Sequence, residues 1–290
     1  MARRSRIGLV RPAVIAGVAA VLLPLATPAA TEPTHRVLPD LVPVAPRQVI
    51  GPSTEFLMTL GVDAPLIIDG CFADEKIRKG AARCLRFDGI VSNIGSGPLE
   101  VSYRVDASET LASAYQRIFD GLGGHSDRFA TRSEFHPTHA HFHIADFYVA
   151  RLWSASAKGR VRGQEPVARG DKSGFCPEDS EAVDEDAPDD RPTRYACFGE
   201  DDRFEPGGQV VGISAGWMDI YSANLPDQFV EISGVPDGYY VLQIVIDPND
   251  VFEESDETNN QSCSLIRLEG TSASLQPVSR PCPRRIAAID

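Results

Sequence analysis

The sequence predicts a mainly β protein, a β-sandwich with long loops and one or two short helices. Two observations carry that expectation. Short runs with β character recur at residues 66–68, 85–91, 99–105, 139–149, 229–232, 239–246 and 264–268. Turn-forming clusters separate them, among them Asn93-Ile94-Gly95-Ser96-Gly97-Pro98, Pro236-Asp237-Gly238 and Asp247-Pro248-Asn249-Asp250. Many short strands divided by turn chemistry are the pattern of a sandwich.

The elements follow in chain order. Residues 1–30 read as a secretory signal peptide: Arg3, Arg4, Arg6 and Arg11, then an apolar run over 12–25, then the small residues Ala26, Thr27, Ala29 and Ala30. The run is shorter than the ~20 residues of a membrane span, and Pro24 interrupts it. Cleavage that leaves no anchor is therefore expected. The Pro-rich residues 31–54 read as an extended lead-in, and the strands follow. A helix is expected over 107–120, where Ser108 supplies a start signal and Leu111, Tyr115 and Phe119 an apolar stripe. Residues 178–190 carry eight acids and read as a solvated or mobile loop.

The formal charge is −13, and loss of the four N-terminal arginines takes it to about −17. Such a chain is a poor nucleic-acid binder, because phosphate contacts need Lys and Arg. It suits cationic substrates such as amines, although solubility alone also accounts for the charge. All six cysteines follow residue 30. An even count after an export signal predicts three disulfides. The sequence-local pairs are Cys71 with Cys84, Cys176 with Cys197, and Cys263 with Cys282. No pair has the spacing of a zinc knuckle.

Four of the six histidines, His136, His139, His141 and His143, lie within eight residues. On a strand, His139, His141 and His143 share one face, while Ala140 and Phe142 face the other way. The outer two Cα atoms would be about 13 Å apart in a straight strand, so three ligands on one ion require a bend, twist or bulge. Three imidazoles suit Cu(II) or a catalytic zinc, and spacing alone leaves both open. His136 is out of register and reads as a neighbour of the site.

These residues resemble the lysyl oxidase family. Phe135-His136-Pro137-Thr138-His139-Ala140-His141-Phe142-His143 is similar to that family's copper-binding W-H-x-C-H-x-H-Y-H. Gly170-Asp171-Lys172-Ser173-Gly174-Phe175-Cys176-Pro177-Glu178-Asp179 resembles G-H-K-A-S-F-C-L-E-D. Gly216-Trp217-Met218-Asp219-Ile220-Tyr221, followed by Gln228-Phe229-Val230-Glu231-Ile232, resembles G-C-Y-D-x-Y followed by Q-W-x-D-I. The likeness runs from Leu38-Pro39-Asp40-Leu41-Val42-Pro43 to Cys282, within an expected catalytic domain over 55–285.

The resemblance implies a secreted copper-dependent amine oxidase. Copper and O₂ oxidise a tyrosine, a lysine adds to its ring, and the product is lysine tyrosylquinone. The two precursor positions fall on Lys172 and Tyr221. A primary amine, peptidyl lysine among the options, would become an aldehyde with release of hydrogen peroxide and ammonia. Asp146, just beyond the histidines, is the candidate base. The segment Glu254-Ser255-Asp256-Glu257-Thr258-Asn259-Asn260 resembles E-S-D-Y-T-N-N, and some relatives hold a structural calcium there. Asp40, Glu254, Asp256, Asn259 and Asn260 would supply its oxygen ligands; a polar hairpin loop is the alternative.

There are departures. Thr138 stands where the family has a cysteine, and Trp217 and Asp227 replace a disulfide around the quinone tyrosine. A non-catalytic copper-binding β-sandwich is the second reading, and a three-histidine zinc hydrolase the third. The bias toward Ala, Arg, Asp and Gly points to a high-GC bacterial source, where animal matrix proteins are not the obvious substrate.

Overall fold

Every second residue between Leu111 and Phe119 turns inward: Ala112, Ala114, Gln116 and Ile118 are buried. This is a strand, not the helix expected over 107–120. The stripe Leu111, Tyr115 and Phe119 misleads because a spacing of four fits both periods. It shares a face on a helix, and, being even, also on a strand. The computed structural model describes residues 36–47, 49–50, 67–68, 71–72, 83–105, 111–136, 141–145, 147–170, 174–184, 195–197, 210–225, 228–279 and 282. No helix occurs among them.

The first strands are β1 (Leu41–Val44), β2 (Val49–Ile50), β3 (Ile67–Ile68), β4 (Cys71–Phe72), β5 (Cys84–Phe87), β6 (Gly89–Asn93) and β7 (Leu99–Val105). Then come β8 (Leu111–Phe119), β9 (His125–His136), β10 (His141–Ala145), β11 (Tyr148–Ala155), β12 (Ala168–Gly170) and β13 (Gly174–Phe175). The rest are β14 (Glu181–Ala182), β15 (Val210–Ile213), β16 (Trp217–Tyr221), β17 (Phe229–Glu231), β18 (Gly238–Ile246), β19 (Gln261–Glu269) and β20 (Ser272–Ser279). The expected strand over 139–149 is thus two elements, β10 and β11, with buried Phe147 between them.

Three larger sheets organise the domain. One has the order β13-β10-β9-β8-β7-β15, a second β12-β11-β18-β19-β20, and a third β1-β6-β16-β14. A smaller sheet, β17-β5-β2, and the pair β3-β4 complete them. All pairings between these strands are antiparallel. The main core gathers Leu85, Val101, Phe147, Leu152 and Ile244, each fully or almost fully buried. Side chains of this kind stabilise by about 1.5–3 kcal/mol apiece when removed from water.

A fully buried Asn93 organises the turn that follows β6. Its Oδ1 accepts from the backbone N–H groups of Asp40 and Gly95, and its Nδ2 donates to the carbonyls of Gly97 and Ile213. The chain at Leu38 passes so close that a Cβ on Gly95 would lie 2.5 Å from the Leu38 carbonyl oxygen. Three disulfides, Cys71–Cys84, Cys176–Cys197 and Cys263–Cys282, join sequence-local partners.

Candidate functional site

The histidine segment is built by alternation. On β10, Phe142 and Ile144 face the core; the Phe142 ring lies 5.6 Å from Tyr103 and 5.4 Å from Phe135. Positions 141 and 143 therefore occupy the opposite face. His143 is only 8% exposed. In the ladder, His141 lies opposite His136 and His143 opposite Glu134. His139, Asp146 and Lys172 fall outside the described residues, as does the side chain of His141. Among the described residues no three His, Cys, Asp or Glu groups converge on a point that could hold a metal ion.

Tyr221 ends β16 and is tied to a different part of the chain. Its Oη accepts from the Cys176 N–H at 3.1 Å and donates to the Cys176 carbonyl at 3.0 Å. Its ring lies 4.5 Å from that of Phe175. Phe175 belongs to β13, which pairs with β10 through Ile144 opposite Phe175 and Ala145 opposite Gly174. The strand that carries His141 and His143, the segment that follows Lys172, and Tyr221 thus meet. Burial holds the Tyr221 phenol well above its ordinary range, and the nearby Asp219 carboxylate adds to the effect.

Three acids that sequence reasoning did not single out fix this junction. Asp219 is fully buried and accepts from the Glu178 N–H and the Ser180 hydroxyl. Asp179, 3% exposed, accepts from the N–H groups of Tyr195 and Ser214 and from the Ser214 hydroxyl. Glu178 accepts from the Cys197 N–H. The start of the acidic run over 178–190 is therefore folded in, not a solvated loop. Its carboxylates satisfy buried backbone donors, which a charge count cannot register. The signal was their position inside the same blocks that contain Lys172 and Tyr221. The Cys176–Cys197 bond closes the arrangement, and Tyr195 anchors it to β7 by donating to Glu100 at 2.6 Å.

At the proposed calcium ligands, Asn259 Nδ2 donates to Asp40 Oδ1 at 2.7 Å and Asn260 Nδ2 to Glu254 Oε1 at 2.8 Å. The amide oxygens of both asparagines are buried without a hydrogen-bond partner. Burial pushes the Glu254 carboxyl up to about 8, with the Glu257 charge adding to it and the Leu41 N–H opposing. Asp256 instead accepts from the N–H and hydroxyl of Thr258, in its own exposed turn.

The family model described as Lysyl oxidase matches residues 126–277. Lysyl oxidase homolog 3B of Danio rerio is 31% identical over 220 residues, 72% of this chain and 22% of that protein. Protein-lysine 6-oxidase of Sus scrofa is 32% identical over 142 residues, 48% of this chain and 49% of that protein. The human Protein-lysine 6-oxidase is 32% identical over 142 residues, covering 29% of its length. The chain thus spans about half or less of each of these relatives.

Proposed function

The chain belongs to the lysyl oxidase family, and from that premise we propose that it is a secreted, copper-dependent amine oxidase that converts primary amines to aldehydes. The observation that carries the reading is the junction at Tyr221. The phenol is bonded to Cys176, four residues after Lys172, and Phe175 pairs into the histidine strand. Residues 1–30 act as the export signal and 55–285 as the catalytic domain. Three disulfides fit an oxidising compartment. No helix among the described residues is long and apolar enough to cross a membrane.

The donor set fits copper. Imidazoles suit Cu(II), and His141 and His143 lie two residues apart on one strand with His143 buried. We assign His139, His141 and His143 as ligands. With O₂, copper would supply the oxidising power that turns the Tyr221 ring, joined to Lys172, into lysine tyrosylquinone. The chain's own part is to hold that ring. The paired bonds to Cys176 fix the phenol oxygen, and packing against Phe175 holds the partly buried ring. We assign Asp146 to take the substrate's α-proton. The acidic surface favours ammonium substrates by long-range attraction. Peptidyl lysine is one substrate of this class, and free amines are another.

Calcium fits the second site. Buried amide oxygens that lack donors, beside a buried carboxylate, are what a hard cation with oxygen ligands requires. Asp40, Glu254, Asp256, Asn259 and Asn260 would hold it.

The test is to express the full chain, load it with copper in air, and assay it with phenylhydrazine and a redox-cycling stain. Both should be positive, and amine-dependent peroxide should follow. Fully copper-loaded, aerated protein that stays negative contradicts the oxidase reading and leaves a copper-binding sandwich.

A further inference from the structure

We infer that Arg86 and Asp88 are positioning residues for Tyr221, locking the turn that follows it. This rests on the role of Tyr221 given above. Arg86 is fully buried, unusual for a permanent charge. Its Nε donates to the Ala223 carbonyl at 2.7 Å, and its Nη2 donates to the Leu225 carbonyl. Asp88 Oδ1 accepts from the Ala223 N–H at 2.9 Å. Both backbone groups of Ala223 are therefore held by alternate residues of one short stretch.

The same stretch also meets Tyr221, Gln228 and Phe229. Gly89 lies opposite Tyr221 in the ladder, and Arg86 lies opposite Phe229. Gln228, 1% exposed, packs so closely that a Cβ on Gly89 would lie 2.7 Å from its Nε2. Residues 86–89 thus hold the chain at Ala223 and Leu225 and again at Gln228 and Phe229. No disulfide does this work, because all six cysteines are bonded elsewhere. A rigid guanidinium with several fixed donors suits carbonyl capture, and a lysine ammonium would not reproduce it. The consequence falls on Tyr221, one residue before the gripped segment, whose Oη must keep its alignment with Cys176. Small displacements of a reacting group cost up to about a hundredfold in rate.

The test compares wild type with Arg86→Lys and Asp88→Ala by two readouts below the melting transition. Hydrogen exchange should rise at least tenfold across 222–225 in Arg86→Lys, and at the Ala223 amide in Asp88→Ala. Phenylhydrazine-reactive cofactor should form at least tenfold more slowly per bound copper. Folded variants with unchanged exchange there, or with faster exchange and unchanged cofactor formation, overturn the inference. If Arg86→Lys does not fold, Asp88→Ala decides by the same two readouts. If wild type itself forms no quinone, the oxidase reading fails, and exchange alone decides whether the clamp exists.

Discussion

Removing one oxygen atom tests the junction on which the site depends. In Tyr221→Phe the ring keeps its packing against Phe175, but both hydrogen bonds to Cys176 are lost. A typical bond contributes about 1 kcal/mol net, and a buried backbone group left unpaired costs about 1–3 kcal/mol. Both Cys176 groups belong to a buried residue, so the expected loss is about 2–3 kcal/mol. In a domain of this size that corresponds to a fall in Tm of about 5–10 °C. The assay is thermal unfolding of copper-free protein, so that cofactor formation cannot contribute, together with exchange at the Cys176 amide. A Tm within about 1 °C of wild type, with that amide still protected, would refute the tether.

Three further outcomes are expected. Calcium should raise the Tm and chelation lower it, by about 2.7 kcal/mol of stability at a hundredfold excess over Kd. Asn260→Ala should blunt that response, and an equal response in the variant argues against the site. Replacing both Cys176 and Cys197 with Ser should cost about 3 kcal/mol, the loop-closure value for a separation of 21 residues. A loss under about 1 kcal/mol, read from urea midpoints, would mean that Asp179 and Glu178 hold the segment unaided.

The third is a pH effect. Burial raises the Asp247 carboxyl above its ordinary value of 3.8, against the N–H groups of Val251 and Phe252 that it accepts from. A raised folded value means the native state keeps the proton longer, so this contribution is full below pH 3.8 and declines as pH rises through the folded value. Asp247→Asn, which tolerates the positive φ of 43° at this position, removes the titration. The stability advantage of wild type over the variant should shrink as pH rises above 3.8, and a constant or growing gap contradicts the assignment.

Much of this was legible in the sequence, for physical reasons. Runs such as Tyr239–Ile246 declare themselves because β-branched and aromatic residues pack on a pleated surface. The disulfides follow from proximity along the chain. The long strand β9 was missed because its residues, His-Ser-Asp-Arg-Phe-Ala-Thr-Arg-Ser-Glu-Phe-His, are mostly polar and it is held by its neighbours β8 and β10. The histidines, Lys172 and Tyr221 were visible as local blocks. The tie between Tyr221 and Cys176 was not. The Tyr221–Cys176 bonds span 45 residues and the Arg86–Ala223 bond spans 137. No periodicity or spacing encodes such a pairing. Residues 178–180 read as solvated because charge is local, whereas the buried donors that need those oxygens come from Ser214, just after β15, from Ile220 in β16, and from the Tyr195 segment.

The most direct measurement is peptide mapping of the copper-loaded, aerated protein by mass spectrometry. Wild type should yield a covalent pair joining the peptide that contains Lys172 to the peptide that contains Tyr221, absent from Lys172→Ala and from Tyr221→Phe. Recovery of both peptides unmodified and unlinked from wild type, at full copper occupancy, would contradict it.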